Sequence, residues 1–543
     1  MRATAPHATL YRGGSVYSPA DPFATAMVVV GAEVAWVGSE DGAPAAAEVV
    51  ELEGALVTPA FVDSHVHTTE TGLAVEGVDC SGTRSLTELL TLVENAARRA
   101  RGRAILGHGW DDRNWPEQRP PHRRELDRAS WGGVVYLGRV DVHSAVVSTA
   151  LAVSAGLRDL DGWSDDGRVE RAAHHGARDA TRGAIGAGHR EHLQRMALGQ
   201  AAAAGVAVVH EMSAPHIAPP DDLPALVRLA ADPDLPDVVA YHGELVADVE
   251  QACALLSRFQ AQGVSLAGLG GDLCVDGSVG SRTAAFLDDY ADAPGERGYL
   301  YVDPGAVAGH LLACIGAGTT PGFHVIGDAA VAAVLDGLRR AEVTVGRPAV
   351  CGARTRLEHV ECVDAGTAAE LASYAVVASV QPAFDAAWGG PADLYSERLG
   401  PARGPLLNPL ALLASAGVPL ALGSDTPVTP FDPWGAVRAA AFHRTPGHGI
   451  SARAALLAHT RGAYRAAGDP DPLAGVLVPG AQATFAVWEP SELVVQAPDA
   501  RVQGWSTDPR SGTPGLPDLT PGVPAPRCRQ TVLRGRTIYA ALS

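Results

Sequence analysis

Through the middle of this chain, short apolar runs closed by turn residues alternate with longer amphipathic stretches. Runs of four to eight β-prone residues read as strands, and segments with an apolar period near 3.6 read as helices. Eight strands are predicted in this way, over 55–62, 206–210, 238–242, 269–275, 321–324, 356–359, 376–381 and 418–423. Helical patterns separate most of them, among them 249–261, 304–317, 329–341 and 408–416. Eight strands with intervening helices predict an α/β fold, a TIM-like (β/α)8 barrel.

Two departures from a plain barrel are legible. Between the first two strands lie far more residues than one crossover needs. They carry helical patterns over 86–101 and 182–204 and strand patterns over 103–106 and 134–137, so 70–204 is expected to be an inserted cap. The chain ends differ from the centre. Short β-prone runs punctuated by glycine fill 8–57 and return at 484–488 and 530–539, with a Pro/Gly-rich loop from about 506 to 526. The expected domains are a composite β-sandwich from 1–57 and 470–543, and a barrel from 58–469.

Composition narrows the function classes. The formal net charge is −19, which argues against nucleic acid or an anionic membrane as partner. No apolar run reaches the roughly 20 residues that span a bilayer, and the first residues lack a signal-peptide pattern. Seven scattered cysteines without a C-x-x-C pair suit a reducing cytoplasmic location. The chain contains no lysine, so all 42 basic residues are arginine. Schiff-base chemistry, a P-loop and a carboxylated-lysine metal bridge are thereby excluded.

Barrel enzymes carry their chemistry at the C-terminal ends of strands. The first strand ends in His65 and His67, which as residues i and i+2 share one face. Nineteen histidines produce such a pair by chance about 0.7 times, so the pair needs partners. Other strand ends supply them: His210-Glu211, His242, Asp272 and Asp276, His324, Glu358-His359 and Asp425. Three imidazoles and a carboxylate form a standard set for a catalytic zinc-type ion.

In order along the chain stand 59-PAFVDSHVH-67, 109-GWD-111, 139-RVDVH-143, 276-DGSVGSRTA-284, 324-HVIGD-328, 356-RLEH-359 and 423-GSDTPV-428. This series resembles the amidohydrolase superfamily, in the branch of N-substituted formamide deformylase-like and exoenzyme-regulatory-like proteins. The resemblance implies His65, His67, His324, His359 and Asp425 as metal ligands, and Asp425 and His359 as catalytic groups. It implies metal-activated water, with Asp425 as general base, attacking a C–N bond of an amide, formamide or cyclic amide. Many relatives carry a lysine where this chain has Asp272. One ion, zinc first and manganese or iron as alternatives, is therefore expected on His65, His67, His324 and Asp425. A two-ion site bridged by Asp272 is the secondary option.

Substrate contacts are expected from His143, Arg139, Arg282 and Trp110. Each has an ordinary structural reading, since arginines anchor loops and tryptophans pack. His210, His242 and Glu211 are read as structural. The expected partner is a small-molecule substrate, with a homodimer left open. An aromatic-ring deaminase would use the same ligands, and a silent binding or assembly homologue is the remaining alternative.

Overall fold

A computed structural model describes residues 8–100, 102, 104–140, 143–183, 185–489, 491–496, 505–506 and 514–542. The central sheet has eight strands, all parallel, hydrogen-bonded in chain order. They are Phe61–Val66, Val206–Ser213, Asp237–His242, Leu266–Leu269, Thr320–Val325, Arg356–His359, Val377–Val380 and Leu420–Leu422. The last strand returns to the first at the mouth. There the Asp425 amide donates to the His65 carbonyl at 2.9 Å and the His67 amide to that of Thr426 at 3.1 Å. The barrel therefore closes through the backbone of its own candidate ligands.

Two predicted strands are cut differently. The run 55–62 divides at Ala60 into Leu56–Pro59, which pairs with Phe485–Trp488, and Phe61–Val66, which enters the barrel. Both pieces are wholly buried, so apolar pattern alone shows no break between them. The run 269–275 keeps only Leu269 in its strand, Leu266–Leu269. At Gly270 a Cβ would sit 2.4 Å from the Gly322 Cα, and Gly271 has φ of +81°. The backbone leaves the ladder there, and Cys274 rejoins it only through an isolated bridge to His324.

Both chain ends build the flanking sheets. One is a four-stranded sheet from residues 8–51; another orders Ser15–Val16, Leu56–Pro59, Phe485–Trp488, Cys528–Leu533 and Arg536–Ala540. Residues 507–513 of the expected Pro/Gly-rich loop lie outside the described residues. Trp488 ties these sheets to the barrel. It packs edge-on against Phe61 and Trp434, and its Nε1 donates to Thr58 Oγ1 at 2.9 Å.

The insertion carries its own five-stranded sheet: Val78–Asp79, Ile105–Trp110, Val135–Arg139, Ser144–Val147 and Arg168–Glu170. Helix Leu86–Ala100 buries Leu86, Leu89 and Val93 against it. The helix expected over 182–204 is present as Ala187–Ala203, and a further helix, Arg171–Arg182, precedes it.

Candidate metal centre

Strand ends converge as the pattern predicts. His65 and His67 project together from the first strand, His324 from the fifth, His359 from the sixth, and Asp425 follows the eighth. All five are buried. Asp272 stands among them. Its carboxylate lies 3.5 Å from His65 Nε2, 3.2 Å from His67 Nε2, 3.4 Å from His324 Nδ1 and 4.0 Å from His359 Nε2. Asp425 Oδ1 approaches His65 and His67 Nε2 at 3.4 and 3.2 Å.

The donor atoms sort into three overlapping sets close enough to hold an ion: His65–His67–Asp272, His65–His359–Asp425 and Asp272–His324–His359. Asp272 belongs to two of the three. The residues fit a divalent cation by a second observation. His65 Nε2 is buried with no hydrogen-bond partner among the described residues, while Nδ1 meets Glu358 Oε2 at 2.9 Å. A carboxylate behind an imidazole fixes its tautomer and turns the opposite nitrogen toward a metal.

Further groups behind the cluster hold each ligand. Arg356 donates through Nε to Glu358 Oε1 at 2.7 Å, lies 3.0 Å from His210 Nδ1 and stacks on Tyr241. Gln381 Oε1 accepts from His359 Nδ1 at 2.8 Å, which leaves the other ring nitrogen toward the cluster. Asp63 Oδ1 accepts from the Ser424 and His65 amides. Asp276 accepts from the Ala285, Ile326 and Gly327 amides and so holds the loop after His324. His359 and Asp425 themselves sit at φ of 72° and 56°. A non-glycine residue pays for that conformation, and such strain concentrates at working sites.

Charge follows from this crowding. Burial disfavours the imidazolium at His65 and His67, but Asp272 and Asp425 outweigh it and raise both groups. His324 is pushed up to about 9, burial being overcome by Asp272. His359 is pushed down to about 3 by burial and by the His324 and His65 charges, so it stays neutral. Asp272 lies well below the usual carboxylate range, burial being outweighed by the surrounding imidazoles. Such a site holds protons where a cation would displace them, and binding would release them.

The other predicted site residues divide. His143 borders the cavity of about 360 Å3 that opens from the cluster, its ring 5.7 Å from that of His324. Trp110, Arg139 and Arg282 border a different cavity, of about 490 Å3. Trp110 is buried, with Nε1 donating to the Leu137 carbonyl, and Arg282 is paired with Asp292 through two nitrogens at 3.0 and 2.6 Å. Arg139 reaches Asp111 at 3.4 Å; Asp141, between Arg139 and His143 in sequence, lies outside the described residues. His210 Nδ1 meets Arg356, and His242 meets Ser213 and Glu244.

Sequence reasoning assigned no role to Glu358, Arg356 or Gln381. The signal for the first two was period 2: Arg356 and Glu358 alternate with the core residue Leu357 on a strand ending in His359.

A parallel eight-stranded barrel with imidazoles and carboxylates at its C-terminal mouth is the architecture of a metal-binding barrel enzyme. The profile described as "Amidohydrolase family" matches residues 48–539, and the chain belongs to that family, acting on carbon–nitrogen bonds other than peptide bonds. It is 29% identical over 521 residues to "Protein LONG AFTER FAR-RED 3" of Arabidopsis thaliana, covering 86% of this chain and 84% of that one. It is 32% identical over 157 residues to "N-substituted formamide deformylase" of Arthrobacter pascens, covering 27% and 29%. Among solved structures, an uncharacterized metal-dependent hydrolase from Pyrococcus furiosus superposes with a TM-score of 0.68 at 26% identity, covering 88% of this chain and 98% of that one. No helix among the described residues is long and apolar enough to cross a membrane.

Proposed function

We propose that this protein hydrolyses a small-molecule amide, of the formamide or cyclic-amide type, at the barrel mouth. The observation that carries the proposal is the convergence of four imidazoles on Asp272 and Asp425, with all but His65 bordering one cavity. The deformylase relative supports the formamide reading.

The residues that would hold a divalent cation are the three overlapping sets His65–His67–Asp272, His65–His359–Asp425 and Asp272–His324–His359. Asp272 belongs to two of them and stands where many relatives carry a lysine. The mixture of imidazole and carboxylate suits zinc, with manganese or iron as alternatives. When bound, the ion supplies Lewis acidity that brings the pKa of water to about 7.

The chain's own groups do the rest. Asp425 stays ionised, because the His65 and His67 imidazoles outweigh its burial. It accepts the proton of the attacking water at Oδ1 and later delivers it to the leaving nitrogen. His143, edge-on to the His324 ring at the cavity's border, donates to the oxygen that gains charge. Glu358 and Gln381 keep the His65 and His359 rings oriented throughout.

The experiment is a panel of N-formyl, N-acyl and cyclic amides with the metal-loaded enzyme. Acid plus amine as products supports the proposal. Ammonia released from aromatic amines, with no amide turned over, would replace it with a ring deaminase.

A further inference from the structure

The cavity above the cluster has two chemically different walls. One is the ligand set. The other is the cap helix Arg171–Arg182, which brings Arg171, His175 and Arg178 to the cavity. Positions i, i+4 and i+7 share one helix face. Ala173 and Ala177, on the opposite face, are buried in the cap's own core.

Three arginines lie on that helix face, and their charges are not equally met. Arg171 is paired with Asp161 at 2.7 and 2.9 Å and stacks on Tyr299. Arg182 donates to Glu70, and its side chain is 5% exposed. Among the described residues, that same Glu70 is the one carboxylate within ion-pair distance of Arg178, at 3.7 Å, with Asp272 acting on the guanidinium from further off; the Arg178 side chain is 12% exposed. Arg178 Nε is buried with no hydrogen-bond partner among the described residues. Two guanidinium groups thus share one carboxylate, and the surplus positive charge borders the cavity. Nothing else on this wall adds to it. Burial, with repulsion from Arg178 and Arg182, pushes His175 down to about 4, so it is a neutral polar group.

A guanidinium taken out of water without a partner is costly, and a planar donor fork matches a carboxylate. One surplus charge suits a monoanion better than a phosphate dianion. We propose that Arg178 anchors a carboxylate on the substrate, so that the bond hydrolysed belongs to an amide bearing a carboxylate, of the N-acyl amino acid type. Water adds across the C–N bond, giving a carboxylic acid and a carboxylate-bearing amine. The proposal rests on the reading of the opposite wall as an amide-hydrolysing centre.

Two measurements on the metal-loaded protein test it. The first compares N-formyl amino acids having one to five methylenes between nitrogen and carboxylate with N-formylalkylamines of equal length. The best acid should exceed its neutral counterpart in kcat/KM by about 50-fold, the ratio a buried charge pair supports. Arg178→Gln should collapse that ratio towards unity, mostly through KM, and Arg178→Lys should keep part of it. Equal turnover of neutral and acidic substrates, or a preference that survives in both variants, would overturn the proposal. The second measures binding of butyrate and hexanoate by calorimetry to wild type and both variants, which needs no turnover. Alkanoate binding weakened at least tenfold in Arg178→Gln, without amide hydrolysis, would uphold the anion site and remove the hydrolase reading. Hydrolysis of neutral amides with alkanoate binding equal in all three proteins would do the reverse.

Discussion

Glu358 Oε2 lies 2.9 Å from His65 Nδ1, and neither side chain is exposed to solvent. Arg356 holds the other oxygen of the same carboxylate at 2.7 Å. Burial would raise the Glu358 pKa, but Arg356 and His65 outweigh it and bring it to about 2. The carboxylate is therefore ionised at any working pH, and it keeps the Nδ1 proton of His65 in place and Nε2 toward the cluster.

Glu358→Gln preserves shape and removes this charge. Metal affinity should fall between about 10- and 100-fold, the usual effect of such partners. Competition with a chromophoric chelator measures it. Unchanged affinity would mean that His65 needs no orientation by Glu358.

Asp425→Asn should cut kcat by about 10³-fold, within the range of a lost general base. Circular dichroism should show the fold intact. The acidic limb of the kcat/KM profile should vanish with the carboxylate, so the measurement is the pH profile as well as the rate. A variant with wild-type turnover would remove Asp425 from proton transfer.

Much of this centre was legible in the sequence because it obeys simple periods. His65 and His67 share a face by strand alternation, and His324 and His359 end apolar runs. What was not legible depends on distance in space. Asp272, expected only as the bridge of a secondary two-ion option, lies in an irregular stretch after a strand shortened by Gly270 and Gly271. No period predicts that its carboxylate stands among all four imidazoles. Arg178 belongs to a helix of the insertion, and its approach to the cavity depends on how the cap docks on the barrel. The division at Ala60 was hidden because residues on both sides are buried alike.

Trp488→Ala tests the tie between the terminal sheets and the barrel. Trp488 meets Phe61 at 5.7 Å and Trp434 at 5.5 Å between ring centroids, and it is 2% exposed. At Gly205 an added Cβ would fall 2.3 Å from its ring, so the fit on that side is tight. Deleting the indole should cost about 3–5 kcal/mol. Denaturant unfolding checks this, and a loss under about 1 kcal/mol would show that the site collapses around the gap.

His310 gives the stability an acid-sensitive part away from the metal centre. It is fully buried, with Nδ1 accepting from the Val246 amide at 3.2 Å and Nε2 3.0 Å from the Leu269 carbonyl. Burial pushes it from 6.5 down to about 4. Above 6.5 neither folded nor unfolded chain is protonated here. As pH falls from 6.5 to about 4, the unfolded chain takes a proton that the folded one refuses, so stability falls. The sum is about 3 kcal/mol at the acid end. In His310→Gln the slope of unfolding free energy against pH in that window should be shallower by about 1.4 kcal/mol per pH unit. Equal slopes would show that His310 titrates normally.

The decisive measurement is elemental analysis of the purified protein paired with amide hydrolysis before and after chelation. We expect one or two bound divalent ions per chain, hydrolysis of an N-formyl amide that a chelator abolishes, and recovery when zinc or manganese is returned. His65→Ala/His67→Ala should bind fewer ions and stay inactive after the same treatment. Full hydrolysis by protein stripped of divalent metal would contradict the reading of His65, His67, Asp272, His324, His359 and Asp425 as a metal centre.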